Sequence, residues 1–267
     1  MLATGTEIVQ GRRLRVARLG EGPPLLLLHG YPDNLQIFSA LAPLLAPRFK
    51  VVAFDWPGMG ESETWPGGAT PQAMADRLAA LCDHWKLERA HLAGTDMGGQ
   101  PALVFAARHG SRCASVAVMN SLVVADAETS WEIALLRRFG ANRLLLRHLP
   151  ALVFRRAERT FGAPLSEDLR EDLWRSFRRL EVRDYIVRMC AGFQGTLPSL
   201  PYAEIARPVL ILWGALDKHF PPVQAERLHE LLPDSLLEVL PGAPHWMVLS
   251  HAPLVAERLA AFFSSRG

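Results

Sequence analysis

Lysine, tyrosine and cysteine are scarce in this chain of 267 residues, and two of the three shortages exclude whole classes of protein. Lys50, Lys86 and Lys218 are the only lysines among 29 cations; the rest are arginines, and 27 acids bring the net charge to +2. That balance excludes a protein that holds nucleic acid through bulk positive charge. Cys82, Cys113 and Cys190 are odd in number and share no metal-ligand spacing. They argue against a disulfide framework, offer no metal site, and make a reducing compartment, the cytoplasm, the simpler reading. No apolar run approaches the roughly 20 residues of a membrane span. The opening MLATGTEIVQ lacks the basic-then-apolar pattern of a secretion signal. Internal repeats and low-complexity tracts are also missing. What is present is apolar residue in bulk, 49% of the chain, enough for one large domain or a domain with an insertion.

Those apolar residues fall into short strands alternating with helices. Ile8 to Leu19 alternates about Gly11, as in a hairpin. PLLLLH (24–29) and VVAF (51–54) are continuous apolar runs, the mark of strands buried on both faces. The spacing predicts helices over 35–45, 73–85 and 97–109, and strands at 90–93 and 114–119. DWPGMGES (55–62) is a glycine-rich loop. The alternation stops near Asn120, and residues 122–204 show helical spacing, many charges and no strand pattern. It resumes with PVLILW (208–213) and LLEVL (236–240) as strands and with helices over 225–232 and 252–263. The expected fold is α/β: a doubly wound, mostly parallel sheet from residues 1–121 and 205–267, interrupted by a helical cap at 122–204.

One turn carries the chemistry. GTDMGG (94–99) follows a strand and opens a helix. So tight a turn needs small residues beside its apex, and it holds the apex residue, Asp96, in a strained backbone with its side chain above the sheet. A plain turn with Asp96 as helix N-cap is the competing reading of this segment alone. Three further segments bear on the choice. HGYP (29–32) follows the first buried strand and can present the Tyr31 amide toward the apex. Asp217 follows PVLILW, and His245 follows LLEVL. Taken singly, Asp217 reads as a turn residue and His245 as a surface histidine. Taken together, nucleophile, acid and histidine come in that chain order, each beyond the carboxyl end of a strand, where the loops of such a sheet gather.

On the segments HGYP, DWPGMGES, GTDMGG, GALDKHFPP and GAPHW the chain resembles the α/β-hydrolase superfamily over essentially its whole length. With Asp in place of Ser at the apex, it resembles the branch of epoxide hydrolases, haloalkane dehalogenases and haloacid dehalogenases. The resemblance implies the α/β-hydrolase fold with Asp96 as nucleophile, His245 as base and Asp217 as the acid that orients it. It makes the N–H groups of Tyr31 and Met97 the oxyanion hole, and it calls for no cofactor and no metal. A carboxylate attacking a carbonyl would stop at an anhydride. On an sp³ carbon it gives an alkyl ester, which water can cleave with His245 as base. The expected partner is a small, largely apolar electrophile, not a nucleic acid.

The leaving group is less defined. Epoxide hydrolases supply two cap tyrosines as proton donors. Of Tyr31, Tyr185 and Tyr202, only Tyr185 falls where the second one does, which makes it the candidate acid or substrate-binding residue. Haloalkane dehalogenases place Trp after the nucleophile and many place Asn after His-Gly; here Met97 and Tyr31 stand there. Haloacid members grip a carboxylate with arginines after the nucleophile, and Met97 and Gln100 do not provide them. Epoxide opening to a diol is the leading expectation. A dehalogenase, a lyase or biosynthetic use of the aspartyl ester, and a non-catalytic ligand-binding protein of this fold are the alternatives. The 13 arginines of 122–204, interspersed with 11 acids, read as a solvated face or, through Arg183 or Arg188, as an anion site. Phe38, Met97, Trp131, Phe139 and Phe193 are candidates for an apolar pocket or for core.

Overall fold

Gly11 turns the chain from β1 (Gly5–Val9) into β2 (Arg12–Leu19), and the hairpin pairs antiparallel with Gly5 opposite Val16. β2 also lies antiparallel to β4 (Lys50–Phe54). From there the sheet is parallel through β3 (Pro24–Leu28), β5 (Ala90–Thr95), β6 (Cys113–Met119), β7 (Val209–Gly214) and β8 (Leu236–Leu240). The strand order is β1-β2-β4-β3-β5-β6-β7-β8. This computed structural model describes residues 1–124, 129–136, 139–196 and 200–265. Every residue of β5, β6 and β7 is buried, because helices cover both faces. The winding reverses between β3 and β5, which are sheet neighbours although β4 lies between them in the chain. A crevice opens at the carboxyl ends of strands where the order reverses in this way.

One expected helix is broken. Residues 35–38 form a 3₁₀ turn, and α1 is only Ala42–Leu45. Pro43 has no N–H to offer the Ser39 carbonyl, and its ring would clash there, so the helix cannot run through. α2 (Pro71–His84) starts where Thr70 accepts a hydrogen bond from the Ala73 amide and Pro71 fills the first turn. α3 (Gly99–Arg108) follows the elbow after a 3₁₀ turn at 96–98.

Between β6 and β7 come α4 (Trp131–Leu136), α5 (Phe139–His148), α6 (Pro150–Thr160), α7 (Glu167–Phe177) and α8 (Leu180–Thr196), with no strand among the described residues. A buried polar network fixes α7 to the sheet. Arg15 of β2 donates to both oxygens of Asp172 at 3.0 and 2.9 Å, and Asn34 donates to Asp172 at 2.8 Å and to Ser176 at 3.1 Å. The chain closes with α9 (Val223–Leu231), α10 (Met247–Ser250) and α11 (Ala252–Ser264). Among the described residues no helix is long and apolar enough to cross a membrane.

Candidate active site

Asp96 sits at the end of β5 with φ +51°, a conformation that costs a non-glycine residue energy and persists because its surroundings hold it. Its amide donates to the Asn120 carbonyl at 3.1 Å, and its carbonyl accepts from the Ser121 hydroxyl. Close packing around the turn demands glycine: a Cβ on Gly98 would run into the Leu28 carbonyl, and one on Gly30 into the Asp96 side chain itself. So held, the carboxylate has two unlike oxygens. Oδ1 accepts from the amides of Tyr31 at 2.7 Å and Met97 at 2.6 Å. Oδ2 lies 3.4 Å from His245 Nε2.

His245 is itself fixed. Its Nδ1 is 2.7 Å from Asp217 Oδ2, and the other Asp217 oxygen accepts from the amides of His219 at 2.8 Å and Phe220 at 3.0 Å. The Phe161 ring crosses the imidazole edge-on at 4.5 Å between centroids. Burial would lower the histidine's pKa, but Asp217 and then Asp96 override it and hold it up at about 10. The resting site is thus an imidazolium between two carboxylates, in which both ring nitrogens act as donors.

The structure brings these sequence-predicted residues together, but the sequence misses what assembles them. Asn120, at φ +42° just beyond β6, donates to the carbonyls of Pro244 at 3.0 Å and His245 at 2.8 Å and accepts from the Gly214 amide at 2.8 Å. One side chain therefore joins the histidine loop to the end of β7, while its backbone carbonyl holds the elbow. The one sign of it in the sequence is a polar Asn-Ser pair closing a buried strand. His29 pins the oxyanion loop: its Nδ1 lies 2.9 Å from the Gly30 carbonyl and its Nε2 accepts from the Trp56 amide at 3.1 Å. Burial brings its pKa down to about 4, so it is neutral.

Three groups beside these residues carry unspent polarity. Both oxygens of Asp33 are buried without a hydrogen bond among the described residues, as are the Tyr31 hydroxyl and Trp246 Nε1. Burial, then the charge of Asp96, pushes the Asp33 carboxyl up to about 8; His245 and the nearby Trp246 indole oppose the rise. An apolar cavity of about 200 Å³ lies against the site, with Tyr31, Trp131, Leu145, Leu152, Arg156 and Phe161 among its walls. Tyr31 contacts Asp96 through its backbone, and Phe161 contacts His245 through its ring.

Tyr185 is engaged elsewhere. Its hydroxyl accepts from Arg77 of α2 at 2.7 Å, and its ring lies under Gly58, where a Cβ would strike it. The guanidinium carbons of Arg77 and Arg188 stand 5.9 and 5.8 Å from the ring centre. Arg183 is buried, but it donates to the carbonyls of Leu146, Arg147 and Arg178 and so closes helix ends instead of facing an anion. Of the apolar candidates, Trp131 lines the cavity, while Phe38, Met97 and Phe193 belong to the core. The side chain of Phe139 lies outside the described residues.

A strand–elbow–helix at the switch point, with the acid and histidine loops converging on it, defines the class, and comparison agrees. Residues 23–252 match the model of the α/β-hydrolase fold family, and the chain belongs to it. It is 31% identical over 264 residues to the dihydrolipoyllysine-residue acetyltransferase component of an acetoin cleaving system from Pseudomonas putida, covering 95% of this chain and 67% of that protein. It is 31% identical over 261 residues to a pimeloyl-[acyl-carrier protein] methyl ester esterase from Chromobacterium violaceum, covering 89% of this chain and 93% of that one. A haloalkane dehalogenase from Bradyrhizobium elkani superposes with a TM-score of 0.85 over 98% of each chain at 21% identity, a likeness of fold.

Proposed function

We propose that this protein hydrolyses a small apolar electrophile through a covalent alkyl ester on Asp96, and that the reaction is epoxide opening to a diol. The observation that carries the reading is the division of labour between the two Asp96 oxygens: Oδ1 bound by two backbone amides, Oδ2 outside that hole and facing His245. Oδ2 attacks an sp³ carbon and the carbon–oxygen bond of the epoxide breaks. Oδ1 becomes the ester carbonyl and is already seated between the Tyr31 and Met97 donors. Ester formation removes the Asp96 charge, one of the two charges that hold His245 protonated. The His245 pKa then falls, the imidazolium gives its extra proton to solvent, and the neutral imidazole takes a proton from water, which attacks the Asp96 carboxyl carbon. Negative charge develops on Oδ1, inside the same hole. Collapse releases the alcohol, which takes the proton from His245, while Asp217 remains charged and keeps the ring oriented.

Esterification is directly observable. His245→Gln should block the second half and leave a stable mass adduct on Asp96 when the protein is treated with a panel of epoxides and haloalkanes. In the unsubstituted protein, a single turnover in heavy-oxygen water should label Asp96 and leave the first product unlabelled. Label in the first product would mean direct attack by water and would refute the covalent route.

A further inference from the structure

We propose that the Tyr31 hydroxyl is the proton donor to the leaving oxygen, so that the substrates of this site are electrophiles whose bond to oxygen breaks. This rests on the Asp96 ester reading above. Residue 31 is fixed from two sides. Its amide holds Asp96 Oδ1 at 2.7 Å, its ring packs 6.0 Å from Phe177 of α7, and the residue is among those lining the apolar cavity. Its hydroxyl is buried with no hydrogen-bond partner among the described residues, and Asp96, Asp33 and Cys190 of α8 act on it electrostatically. A buried donor without an acceptor is uncommon in a native fold and calls for an explanation. An oxygen of the substrate, entering the cavity to meet Asp96, would be that acceptor.

The other tyrosines are committed: Tyr185 is bound by Arg77, and the Tyr202 hydroxyl donates to the Val123 carbonyl. Arg156 lines the cavity, but an arginine does not give up its proton. Burial and the neighbouring Cys190, Asp96 and Asp33 raise the Tyr31 pKa well above its usual value, so the phenol reaches the reaction with its proton in place. As Asp96 Oδ2 bonds to carbon, the carbon–oxygen bond of the epoxide breaks and its electron pair takes the Tyr31 proton. The attacking water later yields two protons, one to the released alcohol through His245 and one to restore Tyr31. A halide leaves as an anion and needs no proton.

The test is the rate of Asp96 adduct formation in the His245→Gln protein, read by intact mass with 1,2-epoxyhexane and 1-bromohexane. Adding Tyr31→Phe, which keeps the ring and the amide, should slow the epoxide about 100- to 1,000-fold and the bromide less than tenfold. Tyr185→Phe should leave the epoxide rate within about threefold. Equal slowing of both electrophiles, epoxide slowing below tenfold, or an epoxide-specific loss carried by Tyr185→Phe or Asp33→Asn instead would overturn the assignment. Should Tyr31→Phe fail to fold, 3,5-difluorotyrosine at position 31 lowers the phenol pKa and should move the basic limb of the epoxide rate to lower pH. An unmoved limb counts against the proposal. If His245→Gln forms no adduct with any electrophile, the Asp96 reading fails and takes this inference with it. Adducts that form independently of Tyr31 overturn only the inference.

Discussion

Asp33→Asn should make the protein more stable at pH 8 and leave it unchanged at acid pH. Both oxygens of this carboxyl are buried without a hydrogen bond among the described residues, and burial followed by the Asp96 charge moves its pKa from 3.8 to about 8. The fold therefore binds a proton that the unfolded chain has released throughout that interval, and stability falls as pH rises through it. Each pH unit is worth about 1.4 kcal/mol, so the full interval costs at most about 6 kcal/mol. Below pH 4 both states hold the proton and the cost vanishes. Above about 8 both have lost it and the cost is constant. Asn fills nearly the same volume without the charge. The assay is urea denaturation of both proteins at pH 5, 6.5 and 8, read by far-ultraviolet circular dichroism. Subtracting the two curves cancels the titrating groups that do not interact with Asp33. A difference that grows by several kcal/mol from pH 5 to 8, in favour of Asn, is expected. A flat difference would refute the reasoning, and a variant less stable at pH 8 would mean that Asp33 is charged and paired.

Two further outcomes test other parts of the structure. Arg15→Met leaves Asp172 and Asp55 buried without their shared cation and should cost about 3 kcal/mol in chemical denaturation, at the low end for a broken buried pair because Arg175 still reaches Asp172 at 2.6 Å; a loss below 1 kcal/mol would deny that the network fixes α7. His245 has a folded pKa of about 10 against 6.5 unfolded, so its share of stability is complete below pH 6.5 and lost as pH rises toward 10. Its ring resonances at pH 8 should be those of an imidazolium and should turn toward the neutral form in Asp96→Asn; a neutral ring at pH 7 in the unsubstituted protein contradicts the charge pattern.

Much of the fold was legible because buried parallel strands and amphipathic helices leave strong local patterns. PLLLLH, VVAF and ASVAVM each lie on a strand of the parallel part of the sheet. The elbow was legible for a different reason: glycines flank Asp96 because backbone passes too close for a Cβ, and that requirement is written beside the residue it serves. What stayed hidden depends on contacts across long stretches of chain. Nothing near Tyr185 in the sequence announces that Arg77, 108 positions earlier, occupies its hydroxyl. Nothing near Asn120 announces the carbonyls of Pro244 and His245. The break at Pro43 was local and readable, yet the apolar spacing of 35–45 outweighed it. Asp33 is the opposite case: it lies inside the segment HGYPDN, but only burial makes a carboxyl there unusual.

On the proposed route the carboxylate at the elbow does more than change the nucleophile; it also sets the order of events. While Asp96 is charged, His245 is held as an imidazolium by anions on both of its nitrogens and cannot accept a proton from water. Premature activation of water beside an empty nucleophile is thereby suppressed. On this route ester formation removes one of the two anions, the ring's pKa falls, its extra proton passes to solvent, and the neutral imidazole can act as base once an ester exists for water to attack. Oδ1 needs no new site for either half of the reaction, since the Tyr31 and Met97 amides hold it before, during and after. Asn120 keeps the elbow, the end of β7 and the histidine loop in one frame while the charges change. Sequencing of this kind follows from two carboxylates sharing one histidine, and a neutral hydroxyl at the apex would leave Asp217 as the only anion on that ring.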